Sequence, residues 1–169
     1  MLEQEGQLTY QPRRGYFVTE LDLADLREIY DLRRLVEGFA ARAALPLLDE
    51  DAHERIGLAA RDCAEAAGRG DVTAELEANR RFHFAVLEAP GQVHTMRVVR
   101  LLWDSTETYR ALYYNDPADR DDSLAAHTRI IDAMRAVDAD RLVAELDAHR
   151  EAALERLAQV LNTSSSPPG

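Results

Sequence analysis

From residue 21 onward the chain carries one dominant signal: apolar residues recur at helical spacing, broken only by short turn signals, with no stretch that reads as a strand. That restricts the chain to an all-α bundle. The first helix is expected over about residues 22–45, stopped near Pro46, with Ile29, Leu32, Val36, Phe39, Ala40 and Ala43 as its inward stripe. A second follows "LDED", whose acids suit a helix N-terminus, and runs to the "GRGD" break at 68–71. The third spans about 72–88, the fourth about 93–114 and the fifth about 119–136; the sixth starts after Asp138 and fades near Leu161. Connections this short make sequential helices antiparallel neighbours.

The two ends differ from this pattern. Residues 1–20 hold two β-forming runs, Leu8 to Gln11 and Tyr16 to Val18, around Pro12-Arg13-Arg14-Gly15, and read as a small β-hairpin with a basic tip. A lone hairpin is marginal in water, so this one reads as a fragment of a larger unit. The closing "NTSSSPPG", 162–169, is too polar and proline-rich to pack and is expected to be a disordered tail. Between them, residues 21–161 form one domain, a reading that 169 residues with 46% hydrophobic content permits.

Charge and composition narrow the partners. Twenty Lys and Arg against thirty-one Asp and Glu give a net charge of −11, which repels a phosphate backbone. The single Cys63 excludes an intrachain disulfide framework and reads as a small core filler. No signal peptide is visible at the N-terminus and no apolar run approaches the roughly 20 residues of a membrane span, so a cytoplasmic protein is expected.

Polar residues on inward faces carry the chemistry. The inward stripe of the third helix runs through Leu76, Asn79, Phe82, His83, Val86 and Leu87; that of the fifth includes His127; that of the sixth, Leu142, Leu146, Ala153 and Leu157, includes His149. His127 and His149 each lie eleven residues from the turn at Asp138, which in an antiparallel pair sets both imidazoles at one level, roughly 16 Å from the turn. A lone inward histidine is usually a core residue bonded to a carbonyl or an acid. Three buried together without a cation each need a partner and repel if protonated. Three imidazole nitrogens and one amide oxygen suit zinc, nickel or another late first-row divalent ion and leave coordination positions open. Asn79 is either the fourth ligand or a partner that orients His83. His53 and His94 sit in first turns of their helices and are expected to be solvated.

Arg33 lies beside the stripe of the first helix, where it either pairs with Glu37 at i+4 or reaches into the bundle to clamp a carboxylate. Arg97 and Arg110 are further candidates to line a cavity. Trp103, Tyr109 and Tyr113 read as core or interface.

The segments "YDLRRLVEGFAARAA", "NRRFHFAVLEA" and "AAHTRIIDAMRAVDADRLVAELDAHREAAL" resemble the C-terminal effector-binding (FCD) domain of the FadR subgroup of GntR-type transcriptional regulators. The resemblance covers about residues 21–161. It implies an antiparallel bundle of six to seven helices, a homodimer, and a metal held by Asn79, His83, His127 and His149, with Arg33 contacting a small carboxylate effector. Residues 2–18 are similar to the end of that family's winged-helix DNA-binding domain, which implies phosphate contacts by Arg13 and Arg14. The helix that reads bases is absent from this sequence, so DNA is a partner only through a winged-helix domain largely missing here. Many members carry Asp where Asn79 stands; the neutral amide leaves a site of roughly +2 with three neutral histidines, which favours an anionic effector.

Three functions compete on this reading: a ligand-sensing domain of a transcription regulator, a metal-dependent hydrolase using a three-histidine site, and a structural dimerisation bundle without a ligand. The hydrolase needs a general base, and no carboxylate is expected on the inward stripes of the third, fifth or sixth helix at the level of the histidines. The expectation is therefore a sensor and not an enzyme.

Overall fold

The computed structural model describes residues 8–11, 15–18, 22–88, 91–113 and 117–164. At the N-terminus β1 (Leu8–Gln11) pairs antiparallel with β2 (Gly15–Val18), Leu8 opposite Val18 and Gln11 opposite Gly15. The hairpin expected from the two β-forming runs is present. Its basic tip, Arg13 and Arg14, lies outside the described residues, as does 165–169 of the expected tail.

Six α-helices follow among the described residues: α1 (Leu23–Ala44), α2 (Glu50–Arg69), α3 (Val72–Leu87), α4 (Val93–Tyr113), α5 (Pro117–Arg135) and α6 (Ala139–Ser164). Aspartates start four of them. Asp22 accepts from the backbone N–H of Ala24 and Asp25 at 2.7 and 2.9 Å, and Asp25 returns the bond to Asp22 N, a closed capping box. Asp49, Asp71 and Asp138 cap α2, α3 and α6 in the same way through Ala52, Ala74 and Arg141. Pro46 turns the end of α1 into a short 3-10 segment, and Gly70 closes α2 in the left-handed region at φ 67°. α6 runs to Ser164, so residues 162–164 of the expected disordered tail are helical.

Three sequential pairs, α2–α3, α3–α4 and α5–α6, pack antiparallel, as side-chain pairs across them record, whereas α1–α2 and α4–α5 make little contact among the described residues, against the expectation that every sequential pair would be neighbours. Arg81 of α3 meets Asp62 of α2, Arg80 of α3 meets Asp104 and Glu107 of α4, and Arg129 of α5 meets Glu145 of α6. α1 returns against α6, with Arg42 on Asp140 and Glu37 on Arg150. The core between them is built on Phe82, Trp103, Ile130, Met134, Leu142 and Leu146, all fully buried or nearly so.

The inward face of α1 is not the one the apolar spacing selects. Its buried residues are Leu26, Tyr30, Arg33, Glu37, Gly38, Ala40, Ala41 and Ala44, whereas Ile29, Val36 and Ala43 are only half-buried and Leu32 and Phe39 are exposed. The physical reason is that α1 spends its inward face on an ion pair and on small residues that let α6 come close. Leu26 and Tyr30 are buried before that stretch, while Leu35 and Phe39 are left outside, 67% and 61% exposed.

One backbone position is strained. At the α5–α6 turn Val137 takes φ 53°, with its N–H bonded to Met134 O and that of Asp138 to Ala133 O. This is the helix-ending motif that glycine fills, and a β-branched residue there costs about 1–2 kcal/mol of backbone strain. Val137 is exposed and loses little packing on truncation. Val137→Gly is expected to raise the melting temperature, by about 1 kcal/mol of stability, in calorimetric unfolding; a lower melting temperature would show the turn to be unstrained.

Candidate functional site

The register predicted from the Asp138 turn brings the histidines together. Ring centroids of His83 and His127 are 5.4 Å apart, His83 and His149 5.1 Å, and His127 and His149 5.2 Å. All three are buried, and one ring nitrogen of each lies within 4.8 Å of the others. Tetrahedral ligands with bonds of about 2.1 Å stand about 3.4 Å apart, so the widest of these separations has to close by about an ångström for the rings to share one ion. Asn79, one turn before His83 on α3, places Oδ1 2.9 Å from His127 Nε2. With the His127 proton on Nε2 this is a hydrogen bond to the amide; with the proton on Nδ1, both atoms are lone-pair donors toward one cation.

The donor chemistry fits a metal. Nδ1 of His83 and Nδ1 of His127 are buried without a hydrogen-bond partner, which is a destabilising state for a neutral imidazole unless something binds there. Burial, with Arg110 beside it, pushes the His127 pKa down to about 3. Burial and the neighbouring imidazoles and arginines also hold His83 and His149 well below the ordinary value. The three rings are therefore uncharged at neutral pH, the form that coordinates.

Beside the histidines lies a cavity of about 30 Å³ lined by Arg33, Glu37, Asn79, His83, Trp103 and Arg110, among others. Arg33 sits on the wall as well as in an ion pair. Its Nε donates to Glu37 Oε1 at 2.7 Å, and its guanidinium lies over the rings of Trp103 and Tyr30 at 4.4 and 5.0 Å. Arg110 also lies over Trp103, at 4.1 Å, and is buried. Arg97 is exposed and does not reach the cavity. His94 is exposed as expected; His53 is half-buried on the surface between α2 and α5, away from the cluster. Cys63 is a core filler whose thiol burial pushes up to about 12. Trp103 is core and Tyr109 packs at its edge, while the side chain of Tyr113 lies outside the described residues.

Two buried charges, Arg150 and Glu75, escaped the sequence reading, and Glu37, read there only as an i+4 partner of Arg33, has partners on two further helices. Glu37 accepts from Arg33, from Trp103 Nε1 at 2.8 Å and from Arg150 Nη2 at 3.1 Å. Burial opposes its ionised form, but Arg33 and Arg150 outweigh that and hold its carboxyl below the usual range. Glu75 does face inward on α3, one turn before Asn79, with Arg120 Nε at 3.7 Å; burial pushes its carboxyl up to about 7.

A family model described as the FCD domain matches residues 28–152. The chain is 24% identical over 162 residues, 95% of its own length and 72% of the other's, to the uncharacterized HTH-type transcriptional regulator YdhC of Bacillus subtilis (strain 168). Among solved structures, E. coli McbR/YncC superposes with TM-score 0.87 at 19% identity, covering 94% of this chain and 80% of that one. A GntR family transcriptional regulator from Pseudomonas syringae pv. tomato str. DC3000 superposes with TM-score 0.68 at 22% identity, covering 96% and 68%.

The depressed histidine pKa values carry a consequence for stability. Unfolded histidines bind protons as the pH falls through 6.5, while the folded ones stay neutral down to about pH 3 for His127. Acid therefore favours the unfolded chain by up to about 1.4 kcal/mol per pH unit per histidine. Metal-stripped protein is expected to lose stability steeply between pH 7 and 5.5, measured by urea unfolding, and His127→Gln to flatten the slope. An equal slope in the variant would show that His127 does not stay neutral in the folded state.

Proposed function

We propose that this chain, which belongs to the FCD domain family, is the ligand-sensing part of a GntR-type transcription regulator, binding a divalent metal and a small carboxylate inside its bundle. The observation that carries this reading is the convergence of three neutral buried imidazoles, two with orphaned nitrogens, beside a cavity lined by arginines. His83, His127 and His149 would hold the metal, zinc or nickel by the nature of the donors, with Asn79 as fourth ligand or as the partner of His127. The metal would supply a positive centre with open positions at which an anion completes the coordination. Arg33 and Arg110 face the same space and would take the far side of the carboxylate.

The domain division proposed with it is a wing remnant at 1–20, the sensor at 21–161 and a short tail beyond. DNA contact, through Arg13, Arg14 and a winged-helix domain, belongs to the regulator as a whole. An enzymatic role is disfavoured by Glu37, the carboxylate in the cavity wall, because both its oxygens are engaged by Arg33, Trp103 and Arg150 and neither is free as a base. Among the described residues no helix is long and apolar enough to cross a membrane.

The homodimer proposed here has a candidate surface. Leu32, Leu35 and Phe39 follow one another at helical spacing on the exposed side of α1, an apolar stripe that water leaves costly.

Two measurements test this. Zn²⁺ or Ni²⁺ added to stripped protein is expected to raise the melting temperature by several degrees, reversibly with chelator, and His127→Ala to abolish the shift. An unshifted wild type would remove the metal reading. Leu35→Glu with Phe39→Glu is expected to convert a dimer to a monomer in analytical ultracentrifugation without losing helicity, and a persistent dimer would place the interface elsewhere.

A further inference from the structure

The carboxylate of Glu37 sits in a setting built like a ligand site. It is buried against three donors from three helices: Arg33 Nε of α1 at 2.7 Å, Trp103 Nε1 of α4 at 2.8 Å, and Arg150 Nη2 of α6 at 3.1 Å. A guanidinium N–H, an indole N–H and a second guanidinium N–H, converging on two oxygens, form a receptor for a carboxylate in general and not for glutamate in particular. The same residues line the cavity beside the histidines. That cavity, at about 30 Å³, has room for one or two water molecules, so a carboxylate ligand cannot enter until a side chain leaves.

We propose that Glu37 is an internal stand-in for the ligand: in the empty domain its carboxylate fills the Arg33, Trp103 and Arg150 donor set, and an entering small carboxylate displaces it and takes over those donors. This rests on the reading of the domain as a carboxylate sensor and adds how the empty state is held. One carboxylate replaces another at the donors, so the two arginines are never left buried without a counter-ion, and the displaced Glu37 side chain has to swing toward water or take up a proton. The exchange also explains how occupancy reaches the fold. Glu37 is covalently part of α1, whereas the ligand reaches α1 only through Arg33, so exchange replaces the direct ties of α1 to α4 and α6 with ties that pass through the ligand, while Trp103 and Arg150 stay satisfied. Ligand affinity is set by the difference between two carboxylates at one receptor, not by the receptor alone.

Trp103 is the only tryptophan of the chain, and its indole N–H reports the bond directly. The full chain, labelled with 15N at the indole, is titrated with acetate, pyruvate and succinate, and each affinity is repeated in Glu37→Gln. Glutamine keeps an acceptor for Trp103 and removes the charge that competes. The expected result is a saturable shift of the Trp103 indole resonance in the wild type and binding at least tenfold tighter in Glu37→Gln. Asp147→Asn removes a carboxylate that pairs with Arg150 Nη1 outside the donor set, and is expected to change affinity less than threefold. Saturable binding with the indole resonance unmoved, or with equal gains in Glu37→Gln and Asp147→Asn, overturns the displacement and leaves the sensor reading standing. Absence of binding in both wild type and Glu37→Gln sinks the carboxylate reading and this inference together. Should Glu37→Gln fail to fold, the indole titration of the wild type decides alone.

Discussion

A single buried carboxylate ties three helices of this bundle together. Glu37 is nearly inaccessible to water, and an isolated ion there would be prohibitively costly. It persists because Arg33, Arg150 and Trp103 satisfy both oxygens. Removing one partner of such a buried set typically costs about 3–5 kcal/mol, since what remains is an uncompensated charge. The rest of the architecture is arranged around this requirement. α1 must turn Arg33 and Glu37 inward, and beyond them its inward positions are small, with Gly38, Ala40, Ala41 and Ala44 all buried where α1 meets its neighbours. With those positions taken, Leu32, Leu35 and Phe39 are left on the surface, which is why one constraint inside the bundle produces an apolar stripe outside it.

The histidine cluster depends on a different kind of constraint, register. Once Asp138 caps α6 and the turn before it is tight, residues equidistant from the turn on α5 and α6 meet, and His127 and His149 are such a pair. α3 brings Asn79 and His83 to them from the side. Among the described residues no hydrogen bond replaces what Nδ1 of His83 and Nδ1 of His127 lose on burial. The fold thus carries an unfavourable polar arrangement that a cation at the same point would turn to advantage.

How much of this was legible in the sequence follows from those two constraints. Helix boundaries were legible because Asp22, Asp49, Asp71 and Asp138, Pro46 and Gly70 are local signals, and local geometry obeys them whatever the tertiary fold. The meeting of His127 and His149 was legible because turn-centred register is arithmetic on an antiparallel pair, while Asn79 and His83 join them only because α3 packs beside α5 and α6, which register does not supply. The inward face of α1 was not, because periodicity assumes that apolar residues face the core, and here Leu32 and Phe39 face out while Arg33 and Glu37 face in. Arg33 could be read as a pair or as a clamp, and it is found both paired with Glu37 and on the cavity wall. The roles of Arg150 and Trp103 were hidden for a related reason. Their partner Glu37 lies 113 and 66 residues away in sequence, and no single-helix pattern carries that information.

The electrostatics of the cavity join the two arrangements. Arg33, Arg110 and Arg150 line the same space as His83 and His149, and their field contributes to keeping the imidazoles unprotonated. The field that expels a proton from the histidines also opposes a divalent cation there, and Glu37 offsets only part of it. A metal ion among the histidines would therefore raise the affinity of the cavity for an anion, and by linkage a bound anion would raise the affinity for the metal by the same factor. Asn79 strengthens the effect, since an amide contributes no negative charge where a carboxylate ligand would. On the proposed reading neither the metal nor the anion would be an independent guest, and the state of α1, tied through Glu37 or through a ligand in its place, would follow the occupancy of both.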